Sequence, residues 1–163
     1  MTLYDLSEGT PSPPNLPCKP FEKGLTENFF TKVIFMENEI YNAFAEWLDN
    51  LLEQDMPENT KAYNFNLYEE EDETYGIQLI ASDEFDENDG GEWACSEIYS
   101  SEEDIFYIDH SDEKNADRQR GMNFICGMIK EYLENGKYSD KLKKSKAVGV
   151  GFIDGDIEIL FKK

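Results

Sequence analysis

Residues 62–82 read AYNFNLYEEEDETYGIQLIAS. Tyr63, Phe65 and Leu67 alternate with Asn64 and Asn66, and Ile77 and Leu79 flank Gln78, so the apolar period is two. An alternating run buries one face of a strand and wets the other, which predicts strands near 62–69 and 74–82.

To either side the period lengthens. Ile40, Ala43, Phe44, Trp47, Leu48, Leu51 and Leu52 recur at helical spacing and predict a helix over 39–54. Met122, Ile125, Cys126, Ile129, Tyr132 and Leu133 predict a second, ending at Asn135-Gly136 with the glycine as a left-handed cap. The chain closes with AVGVGFIDGDIEILF (147–161), in which Asp154-Gly155 is expected to supply the positive angles of a tight turn. Close backbone packing accounts for the glycines of GVG at 149–151. With further strands expected near 92–99, 146–153 and 156–161, the fold class is α+β: a mainly antiparallel sheet of about five strands packed by two long helices. No internal repeat is visible.

At 163 residues the chain is expected to form a single domain, 1–163. Residues 1–20 read as an extended arm, because TPSPPNLPCKP holds five of the six prolines; 21–163 read as the globular core. MTLYDLSEGTPSPPNLP has neither a basic start nor a continuous apolar run, so no signal peptide or membrane anchor is expected and the location read from it is cytoplasmic. Cys18, Cys95 and Cys126 are odd in number and far apart, which predicts reduced thiols.

Charge is the strongest regional signal. Fifteen Lys+Arg stand against 36 Asp+Glu, a formal charge of −21, which opposes nucleic acid and anionic membranes and favours a basic protein partner. An aromatic content of 13% argues for a packed domain rather than disorder. Between Glu69 and Glu113 there are 18 Asp+Glu and no Lys or Arg, whereas KYSDKLKKSK (137–146) carries five Lys and one Asp. Trp93, Tyr99, Phe106 and Tyr107 are interleaved with the acids, and aromatic anchors ringed by charge are what interface hot spots are made of. The residues expected to bind a partner are Asp83, Asp86, Asp89, Glu92 and Trp93, followed by Glu97, Glu102, Glu103, Asp104 and Asp109. A strand over 92–99 would put Trp93, Cys95, Glu97 and Tyr99 on one face and Ala94, Ser96 and Ile98 on the other. A solvated acidic surface without a partner is the alternative reading of such a charge run.

DENDGGEWACSE (86–97) matches much of a calcium-loop pattern, with Asp86, Asn88, Gly91 and Glu97 at positions one, three, six and twelve. Position five is Gly90, which has no side-chain oxygen, and the flanks read as strands rather than helices. Hairpin turn chemistry explains the glycines better, so no metal and no cofactor are expected.

No enzyme is expected either. The one histidine, His110, sits in the polar stretch IDHSDEKN and reads as a solvated loop residue rather than a general base. No G-x-S-x-G elbow, P-loop or G-x-G-x-x-G is present, and Cys126 falls on the apolar face of the second helix.

The runs GEWACSEIYSSEEDIFYI (91–108) and GKYSDKLKKSKAVGVGFIDGDIEIL (136–160) resemble immunity proteins of contact-dependent growth inhibition and related polymorphic toxin systems. The resemblance covers roughly residues 62–161 and brings no catalytic residues. It implies a cytoplasmic inhibitor that binds a cognate toxin domain, often a nuclease with a basic cleft. A generic acidic module, or a nucleic-acid mimic that binds basic proteins, is the other class the composition allows.

Overall fold

The alternating runs form the two strands at the sheet's centre, β1 (Ala62–Glu69) and β2 (Thr74–Ser82). In the computed structural model, residues 23–71, 73–109 and 117–163 are described, with side chains from Met36 onward; the Pro-rich arm, Cys18 and His110 lie outside them. The first helix, α1, spans Lys23–Glu53, and the compact unit discussed below is Met36–Lys163.

β1 and β2 pair antiparallel, with Phe65 opposite Leu79 and Leu67 opposite Ile77. The rest of the sheet comprises β3 (Glu97–Ser100), β4 (Phe106–Asp109), β5 (Ala147–Phe152) and β6 (Glu158–Lys162). β3 and β4 lie end to end on the outer side of β2, while β5 follows β1 and β6 closes the opposite edge. The expected antiparallel sheet is therefore mixed, because β5 runs parallel to β1. The cause is a crossover. β4 ends beside Thr74 at one end of the sheet, and the helices α2 (Arg118–Asn135) and α3 (Ser139–Lys144) return the chain to the other end before β5 begins opposite Ala62. β5 is buried along its whole length, as parallel strands usually are.

One face of the sheet carries the main core. Phe44, Leu48, Leu51 and Leu52 of α1 and Ile125, Ile129, Tyr132 and Leu133 of α2 pack on Tyr63, Phe65, Leu67, Ile77, Leu79, Val148 and Val150. Phe44 is central, with ring centroids 5.6 Å from Phe106, 6.2 Å from Phe65 and 6.4 Å from Tyr132. The Tyr132 hydroxyl donates to Asp49 Oδ1 at 2.5 Å, tying α2 to α1. Burial, then the Asp49 carboxylate, raise the Tyr132 pKa.

Several local expectations change. The strand expected over 92–99 is a short 3-10 helix, Glu92–Cys95, followed by β3. Its entry is set by two left-handed glycines, Gly90 (φ 73°) and Gly91 (φ 95°). Trp93 and Tyr99 thus do not share a strand face. α2 begins at Arg118, where the Asp117 side chain accepts from the Gln119 N–H and caps it. At its other end Gly136 is extended (φ −67°, ψ 147°), not left-handed. A Cβ there would stand 2.6 Å from the Tyr132 ring, so close approach explains the glycine. Nor does Asp154-Gly155 use positive φ, although the turn closes with Gly155 N–H donating to Phe152 O at 2.9 Å. The glycines of β5 are close-packed: a Cβ on Gly149 would meet Ile157 at 2.7 Å and Asn64 Oδ1 at 2.8 Å.

Gly121 gives a sharp test of the packing between α2 and the sheet. A Cβ on it would lie 2.3 Å from a ring carbon of buried Tyr75. Alanine normally gains about 1 kcal/mol over glycine inside a helix, but overpacking costs about 1–3 kcal/mol. Gly121→Ala is expected to lower the urea midpoint; a higher midpoint would contradict this packing.

Candidate partner-binding surface

Of the ten residues expected to bind a partner, nine are acids that fall into two groups, and Trp93 stands apart from both. Glu97, Glu102, Glu103, Asp104 and Asp109 line the outer sheet edge along β3, the connecting turn and β4. All five are exposed. The turn is fixed to β2: the Ser101 N–H donates to Leu79 O at 2.9 Å, and Ser101 Oγ accepts from the Leu79 N–H at 3.2 Å. Within this group the Asp104 carboxylate accepts from Trp47 Nε1 at 3.0 Å and so has a structural partner.

Asp83, Asp86, Asp89 and Glu92 belong to the loop that leaves β2 and crosses the other face of the sheet toward β6. The crossing is marked by the Glu87–Lys162 ion pair and by Ile157, which lies 3.0 Å from where a Cβ on Gly91 would stand. Two of the four loop acids shape the loop itself. Asp86 Oδ1 accepts from the Asn88 N–H at 2.9 Å. Asp89 uses both carboxylate oxygens, accepting from Gly91 N–H at 2.8 Å and Trp93 N–H at 2.9 Å, which starts the 3-10 helix. Asp83 is half-buried and Glu92 exposed.

Trp93 needs the clearest correction. Expected as an anchor for a partner, it is only 2% exposed. It forms a second, small core with Ala62 and Ala147, flanked by Phe85, Ile157 and Ile159. The Phe85 ring meets it edge-on at 5.4 Å, and the Ser82 hydroxyl donates to the Trp93 carbonyl at 2.6 Å. The Trp93 ring lies over Gly149 of β5, 3.4 Å from where a Cβ would stand.

The loop does not have the frame of a helix–loop–helix calcium site: a strand, β2, precedes it and a 3-10 helix follows it. Among the described residues, no three His, Cys, Asp or Glu side chains converge to hold a metal ion.

Cys126 is buried, and burial with the nearby Glu158 carboxylate pushes its thiol up to about 11, away from the thiolate a nucleophile requires. Cys95 is exposed and bonded to no other cysteine among the described residues. The cavity between the start of α2 and the β5–β6 turn, about 560 Å³, is lined by Arg118, Phe152 and Asp154 among others. Arg118 lies over the Phe152 ring at 4.1 Å and pairs with Asp154, whose carboxyl it holds below the ordinary carboxylate range. Its cation is thereby engaged within the fold.

Two features of the acidic region escaped the sequence. Glu102 (φ 50°) and Glu73 (φ 60°) are the non-glycine residues with positive φ among those described. A left-handed residue other than Gly or Asn costs about 1–2 kcal/mol, and no local pattern announces a Glu there. No helix among the described residues is long and apolar enough to cross a membrane. No protein-family model matches the chain, and no curated protein or solved structure matches it either.

Proposed function

We propose that the chain is a cytoplasmic inhibitory protein without chemistry of its own, an immunity-type protein whose β3–β4 edge docks on a basic cognate toxin, a nuclease domain being the best fit. The observation that carries the reading is the line of exposed carboxylates at Glu97, Glu102, Glu103, Asp104 and Asp109 along one sheet edge. A nuclease must display Lys and Arg to hold phosphates, and an acidic edge complementary to that cleft speeds encounter and competes with the nucleic acid.

A charged edge also blocks indiscriminate strand pairing, and that purely structural use is the second reading. Glu102 favours the first. Edge protection needs charge somewhere on the strand, but not at a position where the backbone would be relaxed by Gly or Asn. Strain kept at one position supports a functional use for that side chain. Glu102→Gly is accordingly expected to raise unfolding stability by about 1 kcal/mol while weakening partner binding. Urea denaturation beside a binding assay checks both halves, and a less stable variant would remove the argument from strain.

The functional test is co-expression with the product of the neighbouring gene. Growth protection together with co-purification of a basic toxin domain is the expected outcome. Full toxicity in the presence of the folded protein contradicts the inhibitor reading.

A further inference from the structure

α1 carries more apolar surface than the core covers. The helical face expected over 39–54 divides in the structure: Phe44, Leu48, Leu51 and Leu52 are buried, whereas Ala43 is exposed and Ile40 and Trp47 are half-buried. Met36, one turn before Ile40, is 45% exposed. Met36, Ile40, Ala43 and Trp47 follow one another at steps of four, three and four residues, so they form one stripe along the helix, about 16 Å long. At its end the stripe meets the sheet. The Trp47 ring lies 5.8 Å from that of Phe106, itself half-buried, and Trp47 Nε1 donates to Asp104 Oδ1 at 3.0 Å, which fixes the indole with part of its surface open. Glu39 and Glu46, both exposed, run alongside the stripe on α1.

We propose that this stripe docks a basic amphipathic helix of the protein partner. The inference rests on the reading of a basic partner and adds the apolar anchor that the acidic edge lacks once Trp93 is placed in the core. A helix laid along α1 presents apolar side chains at the same four- and three-residue steps, and Lys or Arg beside them face Glu39, Glu46 and Asp104. Trp47, at the sheet end of the stripe, is of the residue type on which interfaces most often depend. Charge selects this occupant. A second copy of the chain would set Glu39 and Glu46 against their own kind and bring another −21, and an apolar helix without cations would desolvate those carboxylates unpaired.

The probe is an acetylated, amidated peptide of Leu and Lys with Leu at i, i+4, i+7 and i+11, titrated into the full-length protein beside a scrambled peptide of the same composition. Calorimetry and NMR of the two indole N–H groups follow it at low salt. The ordered peptide is expected to bind about tenfold or more tightly than the scrambled one, and to move the Trp47 indole signal while that of buried Trp93 stays. Ala43→Glu is the deciding variant, because at an exposed helical position it keeps the fold, adds attraction for a cation and obstructs the stripe. Docking on the stripe predicts weaker binding by this variant; charge alone predicts tighter binding. Equal affinity of the two peptides, or an Ala43→Glu variant that binds the ordered peptide as well as the wild type does, overturns the stripe and leaves the acidic edge standing. A wild-type dimer in sedimentation equilibrium that Ala43→Glu dissociates gives the stripe to a second copy and overturns the proposal too. If neither peptide binds at low salt, the basic-partner reading fails and the stripe with it.

Discussion

Trp93→Ala is expected to lower the free energy of unfolding by about 3–5 kcal/mol, the usual range for removing a large aromatic side chain from a packed core. The residue is 2% exposed and joins the crossing loop to the sheet face over β1 and β5. Its ring meets Phe85 edge-on and lies close over Gly149, where a Cβ would stand 3.4 Å from it, so truncation leaves a space that collapse of the neighbours could fill only in part. The substitution keeps the Trp93 carbonyl that accepts from Ser82 and the N–H that donates to Asp89, so the loss reports packing rather than hydrogen bonding. Urea unfolding followed by circular dichroism measures it. A cost under about 1 kcal/mol, with faster dissociation from a partner, would return Trp93 to the surface as a binding hot spot.

The other large effect is kinetic. Glu97, Glu102 and Glu103 are exposed edge carboxylates, and replacing all three with Gln removes three negative charges in isosteric form. Asp104 is left in place because it holds Trp47, and Asp89 because it starts the 3-10 helix. Association with a basic partner should slow by about tenfold or more at low ionic strength, since steering by a complementary field raises encounter rates by factors of that size. Dissociation should change less, and unfolding stability should stay within about 0.5 kcal/mol of the wild type. Stopped-flow kinetics with parallel denaturation separates these effects.

The central pair of strands was legible because Tyr63, Phe65, Leu67, Ile77 and Leu79 follow the pleat so closely. The helical faces around Phe44 and Ile125 were legible for the same reason at the longer period. The parallel pairing of β5 with β1 was not, because strand direction depends on where the intervening chain returns. β4, four residues long, carries too short a pattern to reveal that a crossover starts there. α3 was hidden in a lysine run with one buried apolar residue, Leu142.

In the candidate site, the acidity of the edge could be read directly from the absence of Lys and Arg. What Trp93 does could not, because the alternation expected of a strand is broken by left-handed Gly90 and Gly91 and by the Asp89 cap.

The most direct test of the proposed inhibitor role is the association rate of the wild-type protein with a basic partner domain recovered by co-purification, measured from low to physiological ionic strength. If the β3–β4 edge steers docking, the rate falls steeply as the Debye length shrinks from about 30 Å to about 8 Å, and the amide variant starts lower and falls less steeply. A wild-type rate that is flat with salt and equal to that of the amide variant would contradict the edge as the binding surface.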